Sequence, residues 1–118
     1  NPDRHLPDLE AAMDIAQQEI FGPVLAVQWF TAEDDVITQA NSTNAGLAAY
    51  FFSNNIHRCQ RVAAALDYGM IGINDGMVSH AVSPFGGIKQ SGMGREGGHT
   101  GLAEYQFIKA HCFGQLNG

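Results

Sequence analysis

One stretch, residues 83–98, limits most strongly what this chain can fold into, because it holds six glycines, one proline and three charged residues. Glycine loses backbone freedom inside a helix or a strand and offers no side chain to pack there. The stretch therefore predicts a long, tightly turned loop, and loops of that length are usually either functional or disordered. Three apolar residues, Pro84, Phe85 and Ile88, favour an anchored loop over a flexible one.

The sequence of this loop partly matches two phosphate-binding motifs, but the surrounding residues support neither match. The pattern G-x-G-x-x-G runs from Gly92 to Gly97, but a dinucleotide site needs a strand before it, a helix after it and an acid about 20 residues on. Here a proline- and glycine-rich segment precedes the pattern, and residues 116–118 hold no acid. Residues 86–91 contain glycine, lysine and serine, but not in the order of a phosphate loop.

Composition predicts a globular domain and excludes several functions. The length of 118 residues predicts one domain, and 45% hydrophobic with 15% charged residues is not a disordered composition. The net charge of -6 comes from the acidic first 35 residues, which argues against binding nucleic acid. No apolar run is long enough to span a membrane. The first residues have no signal-peptide layout and no initiating methionine, which predicts a processed or excised piece.

The cysteines and histidines predict no metal site. Cys59 and Cys112 lie far apart without C-x-x-C spacing, so a reducing, cytoplasmic compartment is the simplest interpretation. Four histidines lack metal-ligand spacing and are predicted to be solvated: His57, His80, His99 and His111.

The order of predicted elements is that of an α/β layer with parallel strands. Residues 1–12 are an irregular lead-in. Strands are predicted at residues 24–30, 47–52 and 70–74. Short helices are predicted at residues 9–15 and near residues 100–105. A longer helix is predicted to start at a capping-box-like segment, residues 31–34, and to run to about Ala40. Another is predicted to start at N-cap residues within 53–55 and to end at a C-cap at Gly69. In the second long helix, Ile56, Cys59, Ala63 and Leu66 share one face.

Several motifs, in order, resemble the C-terminal part of an NAD(P)-dependent aldehyde dehydrogenase. They are Glu19-Ile-Phe-Gly-Pro-Val, the segment from Asn41 to Tyr50, Gly72-Ile-Asn74, and the motif from Pro84 to Glu96. Within that family, residues 68–74 and 78–87 resemble the succinate-semialdehyde dehydrogenases. The resemblance implies that residues 13–104 belong to the catalytic domain, and that residues 105–118 are an oligomerisation strand and tail. Residues 1–12 do not resemble the family.

The resemblance also implies the chemistry. In this family a cysteine thiolate attacks the aldehyde, hydride passes to the nicotinamide, and a glutamate-activated water releases the acid. The nucleophilic cysteine, the glutamate base and most of the NAD or NADP site precede the Glu19 motif in the family, and we therefore expect them to be missing from this chain. Cys59 and Cys112 match no nucleophile motif of the family. The choice between NAD and NADP, and the identity of the aldehyde, stay open.

Four residues match the family's binding positions. Glu19 matches the carboxylate that holds the hydroxyls of the nicotinamide ribose, and Phe21 the aromatic beside the nicotinamide. Phe85 matches an aromatic of the aldehyde pocket, and Ser79 a serine that contacts the far carboxylate of succinate semialdehyde. Structural interpretations stand beside these: a solvated acid at a helix end for Glu19, a core ring for Phe21, a loop anchor for Phe85 and a plain loop serine for Ser79.

Other positions are predicted to be structural. Arg95 and Glu96 resemble a pair that fixes the loop, and Lys89 belongs with them. The segment from Tyr105 to Phe113 resembles the arm through which these enzymes pair with another subunit, so a homo-oligomer is expected. Phe107 stands where the family often has an acid, which favours an apolar contact between subunits. The alternative to an aldehyde dehydrogenase fragment is a non-catalytic oligomerisation or binding module.

Overall fold

The computed structural model describes residues 13–115. In order along the chain, the helices and strands are α1 (Asp14–Gln17), α2 (Glu33–Asn41), β1 (Ala48–Phe51), α3 (Ile56–Ala65) and β2 (Met70–Ile73). Two 3₁₀ helices follow, at Lys89–Ser91 and Thr100–Tyr105. The strands pair in parallel, with α3 between them in the sequence, and this confirms the predicted α/β class. Within residues 13–115, no helix is long and apolar enough to cross a membrane.

The chain divides into two units, and the first takes its described residues from 13–44 and 53–67. The two longer helices of this unit, α2 and α3, differ in how their N-termini are capped. Three acids occupy the first turn of α2, where the helix dipole favours them, but the N-cap is Ala32 and no side chain caps the helix. The predicted capping box at residues 31–34 is therefore wrong, because the helix starts one residue too late for Thr31 to cap it. The start of α3 is as predicted, since Asn55 Oδ1 accepts a hydrogen bond from Arg58 N at 3.0 Å.

Polar side chains hold α2 to α3 at both ends of α2. At its start, Glu33 accepts hydrogen bonds from Arg61 Nε at 2.7 Å and from Arg58 Nε at 3.0 Å. At its end, the Asn41 side chain donates to the Ala65 carbonyl and accepts from Asp67 N, both at 2.8 Å. These contacts connect the two helices within the first unit.

The apolar face of α3 differs in part from the predicted one. Cys59 is buried as expected, but its buried neighbour is Val62, while Ile56 is 66% exposed. The helix also ends before its predicted stop. Its C-cap is Leu66 in an extended conformation, so Gly69 is not the C-cap.

Two predicted strands have no strand assignment. Residues 24–30 carry exposed apolar side chains, with Trp29 at 89%, and no described residue pairs with them in a sheet. Residues 106–115 are likewise exposed and outside any sheet. A β-strand must pair with a neighbouring strand, and among the described residues only β1 and β2 form a strand pair. The prediction of a strand at residues 24–30 is therefore wrong. An oligomerisation strand requires a second subunit, so that role stays a prediction.

The second unit takes its described residues from 45–52 and 68–115 and contains the two-stranded sheet. The register pairs Ala48 with Met70 and Phe51 with Ile73. The strand β2 ends one residue earlier than predicted, because Asn74 adopts a left-handed φ of 56° while its N–H still donates to the Phe51 carbonyl at 3.0 Å. The 3₁₀ helix at Thr100–Tyr105 occupies the place of the predicted short helix. In place of the predicted helix at residues 9–15, the structure has α1 at Asp14–Gln17. Residues 1–12, which include the predicted lead-in and the start of that predicted helix, lie outside the described residues.

Candidate functional site

The glycine loop, defined as residues 83–98, is fixed to the amino ends of β1 and β2 through Gly46. The buried Gly46 accepts hydrogen bonds on its carbonyl oxygen from Gly69 N and Ile88 N, both at 3.0 Å. Its own N–H donates to Ser91 Oγ at 2.9 Å. One backbone unit therefore joins the start of both strands to the loop, and the loop is anchored rather than free.

Close backbone packing explains the glycine at position 69. A Cβ added to Gly69 would overlap the Gly86 carbonyl oxygen and lie 2.8 Å from Gly87 Cα. Both obstacles are backbone atoms, which no side-chain rotation can move aside. The sequence assigned Gly69 to a helix end, whereas the structure uses it to bring the loop against the start of β2.

The glycine loop has two arms, one before and one after the 3₁₀ helix Lys89–Ser91. The arms meet at an isolated antiparallel bridge. Phe85 N donates to the Glu96 carbonyl at 2.8 Å, and Glu96 N donates to the Phe85 carbonyl at 2.7 Å. A further bond, from Gly98 N to the Ala81 carbonyl at 3.1 Å, ties the end of the loop to the connector that follows β2. The Phe85 backbone is thus held through both its N–H and its carbonyl oxygen.

A cavity of about 750 Å³ lies beside this bridge, within the second unit. Its apolar wall includes Leu47, Phe85 and Leu102, and its polar wall includes Arg95 and Glu104. The Glu104 carboxylate accepts a hydrogen bond from Arg95 N at 3.2 Å. An apolar wall with a few fixed polar groups is the usual character of a small-molecule site.

The structure places the four predicted binding residues in different settings. Phe85 is half-buried and lines the cavity. Ser79 is exposed on the connector after β2 and is not among the lining residues. Glu19 and Phe21 belong to the first unit, just after α1, and both are exposed, Phe21 at 94%. The second unit therefore brings Phe85, and not Ser79, to its cavity.

The residues predicted to be structural make contacts of that kind. Lys89 has a left-handed φ of 56°, and its ammonium lies 5.9 Å from the centre of the Tyr68 ring. Burial raises the pKa of the Tyr68 phenol, so this ring stays neutral at physiological pH. Arg95 makes several hydrogen bonds to backbone carbonyls within the loop.

Neither cysteine has the surroundings of an activated nucleophile. Cys59 is 6% exposed, and its Sγ donates to the Ser53 carbonyl at 3.5 Å, which suits an inert buried thiol. Cys112 is exposed in the segment after the last 3₁₀ helix. Among residues 13–115, no three His, Cys, Asp or Glu side chains are grouped so that they could hold a metal ion.

Three structural residues had no counterpart in the sequence interpretation. Gly46, Ser91 and Glu104 anchor the loop, but each is an ordinary residue type, and its partner lies far away in the sequence or across a loop. The sequence signal available was the clustering of glycines at 69, 86 and 87, which is typical of close backbone approach.

The profile of the aldehyde dehydrogenase family matches residues 6–111, so the match extends into residues 6–12, for which the motifs had indicated no resemblance. The chain belongs to this family. A mitochondrial succinate-semialdehyde dehydrogenase of Oryza sativa subsp. japonica is 51% identical to it over 105 residues, which is 89% of this chain and 20% of that protein. A 3-sulfolactaldehyde dehydrogenase of Pseudomonas putida is 45% identical over 112 residues, covering 95% and 23% of the two chains.

Solved structures give the same result. The crystal structure of an aldehyde dehydrogenase of Brucella melitensis biovar abortus 2308 superposes with a TM-score of 0.79 at 50% identity, covering 82% of this chain and 20% of the other. The crystal structure of an NADP-dependent enzyme of E. coli superposes with a TM-score of 0.86 at 48% identity, covering 92% of this chain and 22% of the other. The family resemblance inferred from the motifs is thereby confirmed, and so is the fold class. The chain spans about a fifth of the length of the relatives it matches.

Proposed function

We propose that this chain is part of an enzyme that oxidises an aldehyde bearing a distal anionic group, with succinate semialdehyde as the first candidate, to the acid with NAD or NADP. The observation that carries the proposal is the similarity to relatives named for succinate semialdehyde and for 3-sulfolactaldehyde. The first compound carries a carboxylate and the second a sulfonate, each remote from the aldehyde carbon. The distal anion is therefore the feature these substrates share.

The chemistry follows the family's covalent route. A thiolate adds to the aldehyde carbon, hydride leaves to give a thioester, and water releases the acid. The nicotinamide, when bound, accepts that hydride. Because Cys59 is buried and hydrogen-bonded and Cys112 lies in an exposed segment, we assign the nucleophile and the general base to residues outside these 118. The described residues then serve binding and positioning.

Each binding residue has one role in this proposal. The Glu19 carboxylate accepts hydrogen bonds from the ribose hydroxyls of the cofactor, and Phe21 lies against the nicotinamide. Both side chains are exposed, which fits groups that must meet a ligand. Phe85 forms an apolar wall for the aldehyde, and the Ser79 hydroxyl donates to the distal anion.

The test uses the complete enzyme and separates cofactor from aldehyde effects. Glu19→Gln should raise the KM for the cofactor or slow hydride transfer, while Phe85→Ala should mainly raise the KM for the aldehyde. Ser79→Ala should lower kcat/KM for succinate semialdehyde more than for butanal, which lacks the anion. Ser42→Ala is the matched control, because Ser42 is exposed and its hydroxyl donates to the Gln39 carbonyl at the end of α2. Identical profiles for Glu19→Gln and Phe85→Ala would contradict the division of roles.

A homo-oligomer formed through the segment from Tyr105 to Phe113 belongs to the same proposal. Phe107 and Ile108 are fully exposed and lie outside the sheet of the described residues, and an exposed apolar segment that is not yet paired in a sheet is a site for strand pairing. Light scattering should show that Ile108→Asp lowers the oligomeric state, whereas Met93→Asp, at an exposed apolar position outside this segment, should not. An oligomer without any aldehyde turnover by the complete protein would instead favour a non-catalytic oligomerisation module.

A further inference from the structure

Arg95 braces the two arms of the glycine loop from the inside. Its Nη1 donates to the carbonyl oxygens of Gly87 at 2.6 Å, Gly94 at 2.9 Å and Met93 at 3.2 Å. Gly87 lies on the first arm, and Met93 and Gly94 lie on the second. One guanidinium nitrogen therefore fixes the spacing between the arms, with hydrogen bonds that its charge strengthens.

The brace lies directly beside the Phe85 backbone. Gly86, the next residue, has no room for a Cβ, because that atom would overlap the Gly94 carbonyl oxygen and would lie 2.8 Å from Arg95 Cδ. Glu96, which follows Arg95, exchanges two hydrogen bonds with Phe85. The Arg95 side chain and the Phe85–Glu96 bridge thus support the same short segment from adjacent positions.

The Arg95 backbone is fixed as well. Its N–H donates to Glu104 Oε1 at 3.2 Å, and Glu104 belongs to the 3₁₀ helix Thr100–Tyr105. Arg95 is only half-buried and faces the cavity that Phe85 lines. The second arm is therefore held to a helix, and the first arm is held to the second by Arg95.

We propose that Arg95 is a positioning residue for aldehyde binding: its guanidinium holds the arm that carries Phe85 and so sets the shape of the apolar wall. The inference rests on the proposed function, since it takes Phe85 as the aldehyde wall. Lysine at this position keeps the charge but has a single ammonium on a flexible stem, which cannot reproduce the planar, preorganised donor of arginine. Displacing a substrate-positioning group by a fraction of an ångström is enough to change kinetics measurably.

The experiment measures steady-state kinetics of the complete enzyme with succinate semialdehyde. Arg95→Ala should raise the aldehyde KM by on the order of tenfold, with the cofactor KM changed by less than about twofold. Arg95→Lys should recover part of the loss. In a Phe85→Ala background, Arg95→Ala should add little, because both changes act on one wall. Arg58→Ala is the control, since this arginine is exposed and pairs with Glu33 in the first unit.

Hydrogen exchange on the 118-residue chain gives a readout independent of activity. Arg95→Ala should speed exchange at the Phe85 and Glu96 amides by about tenfold or more, and Arg58→Ala should leave these amides unchanged. If Arg95→Ala does not fold, Arg95→Lys carries both measurements. If the enzyme is active and the Arg95 variants keep the wild-type aldehyde KM, this inference is wrong, while the proposed function stands. That holds even if hydrogen exchange is faster, because Arg95 would then have only a structural role. A wild-type enzyme without aldehyde turnover would instead refute the proposed function.

Discussion

Replacing Gly69 by alanine tests whether backbone packing holds the glycine loop. The added methyl group would overlap the Gly86 carbonyl oxygen and lie 2.8 Å from Gly87 Cα. Ordinary contacts of a Cβ begin near 3.4 Å, so the loop and the start of β2 must separate. Because the Gly69 N–H donates to Gly46 and the next N–H, of Met70, donates to Leu47, that separation also strains the start of the sheet.

The cost follows from two contributions. Overpacking a well-packed site costs about 1–3 kcal/mol. Each backbone hydrogen bond that is lost or stretched costs about 1 kcal/mol more. A loss of about 3–5 kcal/mol is therefore expected, against a typical domain stability of about 5–15 kcal/mol.

Urea unfolding followed by circular dichroism gives the measurement. With an m-value of about 1.5 kcal/mol/M, a loss of 3 kcal/mol lowers the midpoint by about 2 M. Gly76→Ala is the matched control, because a Cβ there meets nothing within 4 Å. It should leave stability unchanged or raise it by up to about 1 kcal/mol, through the reduced entropy of the unfolded chain. A midpoint for Gly69→Ala within about 0.3 M of the wild type would refute the packing argument.

Three further outcomes are expected. Hydrogen bonds from Arg61 lower the pKa of Glu33 from its ordinary value of 4.5, so its stabilising contribution is present above that pH and is lost as the pH falls through the folded-state pKa. The difference in Tm between wild type and Glu33→Gln should therefore shrink between roughly pH 5 and pH 3. Asn55→Ala should cost about 1 kcal/mol in urea unfolding, because it removes the N-cap of α3. A thiol reagent should modify the exposed Cys112 at least about 100-fold faster than the buried Cys59, and equal rates would show that α3 opens readily.

Local patterns predicted the positions of α2 and α3 in the first unit and of the two strands in the second, but not all of the helix ends. The cap at Asn55, the acids at the start of α2 and the β-branched and aromatic character of β1 and β2 are all encoded within a few neighbouring residues. The predicted strand at residues 24–30 rested on the same kind of local pattern, but the structure has no strand there. Its sequence favours an extended conformation, but strand formation depends on a neighbouring strand, and among the described residues only β1 and β2 form a strand pair.

The candidate site was predictable in its residue identities and not in its construction. The resemblance to the family pointed to Phe85 and to a structural Arg95, and the structure places both against one cavity. The anchors at Gly46, Ser91 and Glu104 carry no local signal, because their importance lies in tertiary hydrogen bonds. Ser79 remains on an exposed connector, so its role depends on ligand contacts that no local pattern determines.

The false dinucleotide signature shows why glycine spacing alone is weak support for a nucleotide site. Gly92 and Gly97 have left-handed φ values of 100° and 62°, so the backbone conformation requires glycine at each. Gly94 has no such requirement, because a Cβ there would make only an ordinary contact, 3.5 Å from the Glu104 carboxylate. An acid placed beside the middle of the motif would repel a phosphate, whereas a phosphate cradle presents free N–H groups. Gly92 and Gly97 therefore serve backbone turns, and the Phe85–Glu96 bridge shows that the loop backbone is held by its own hydrogen bonds.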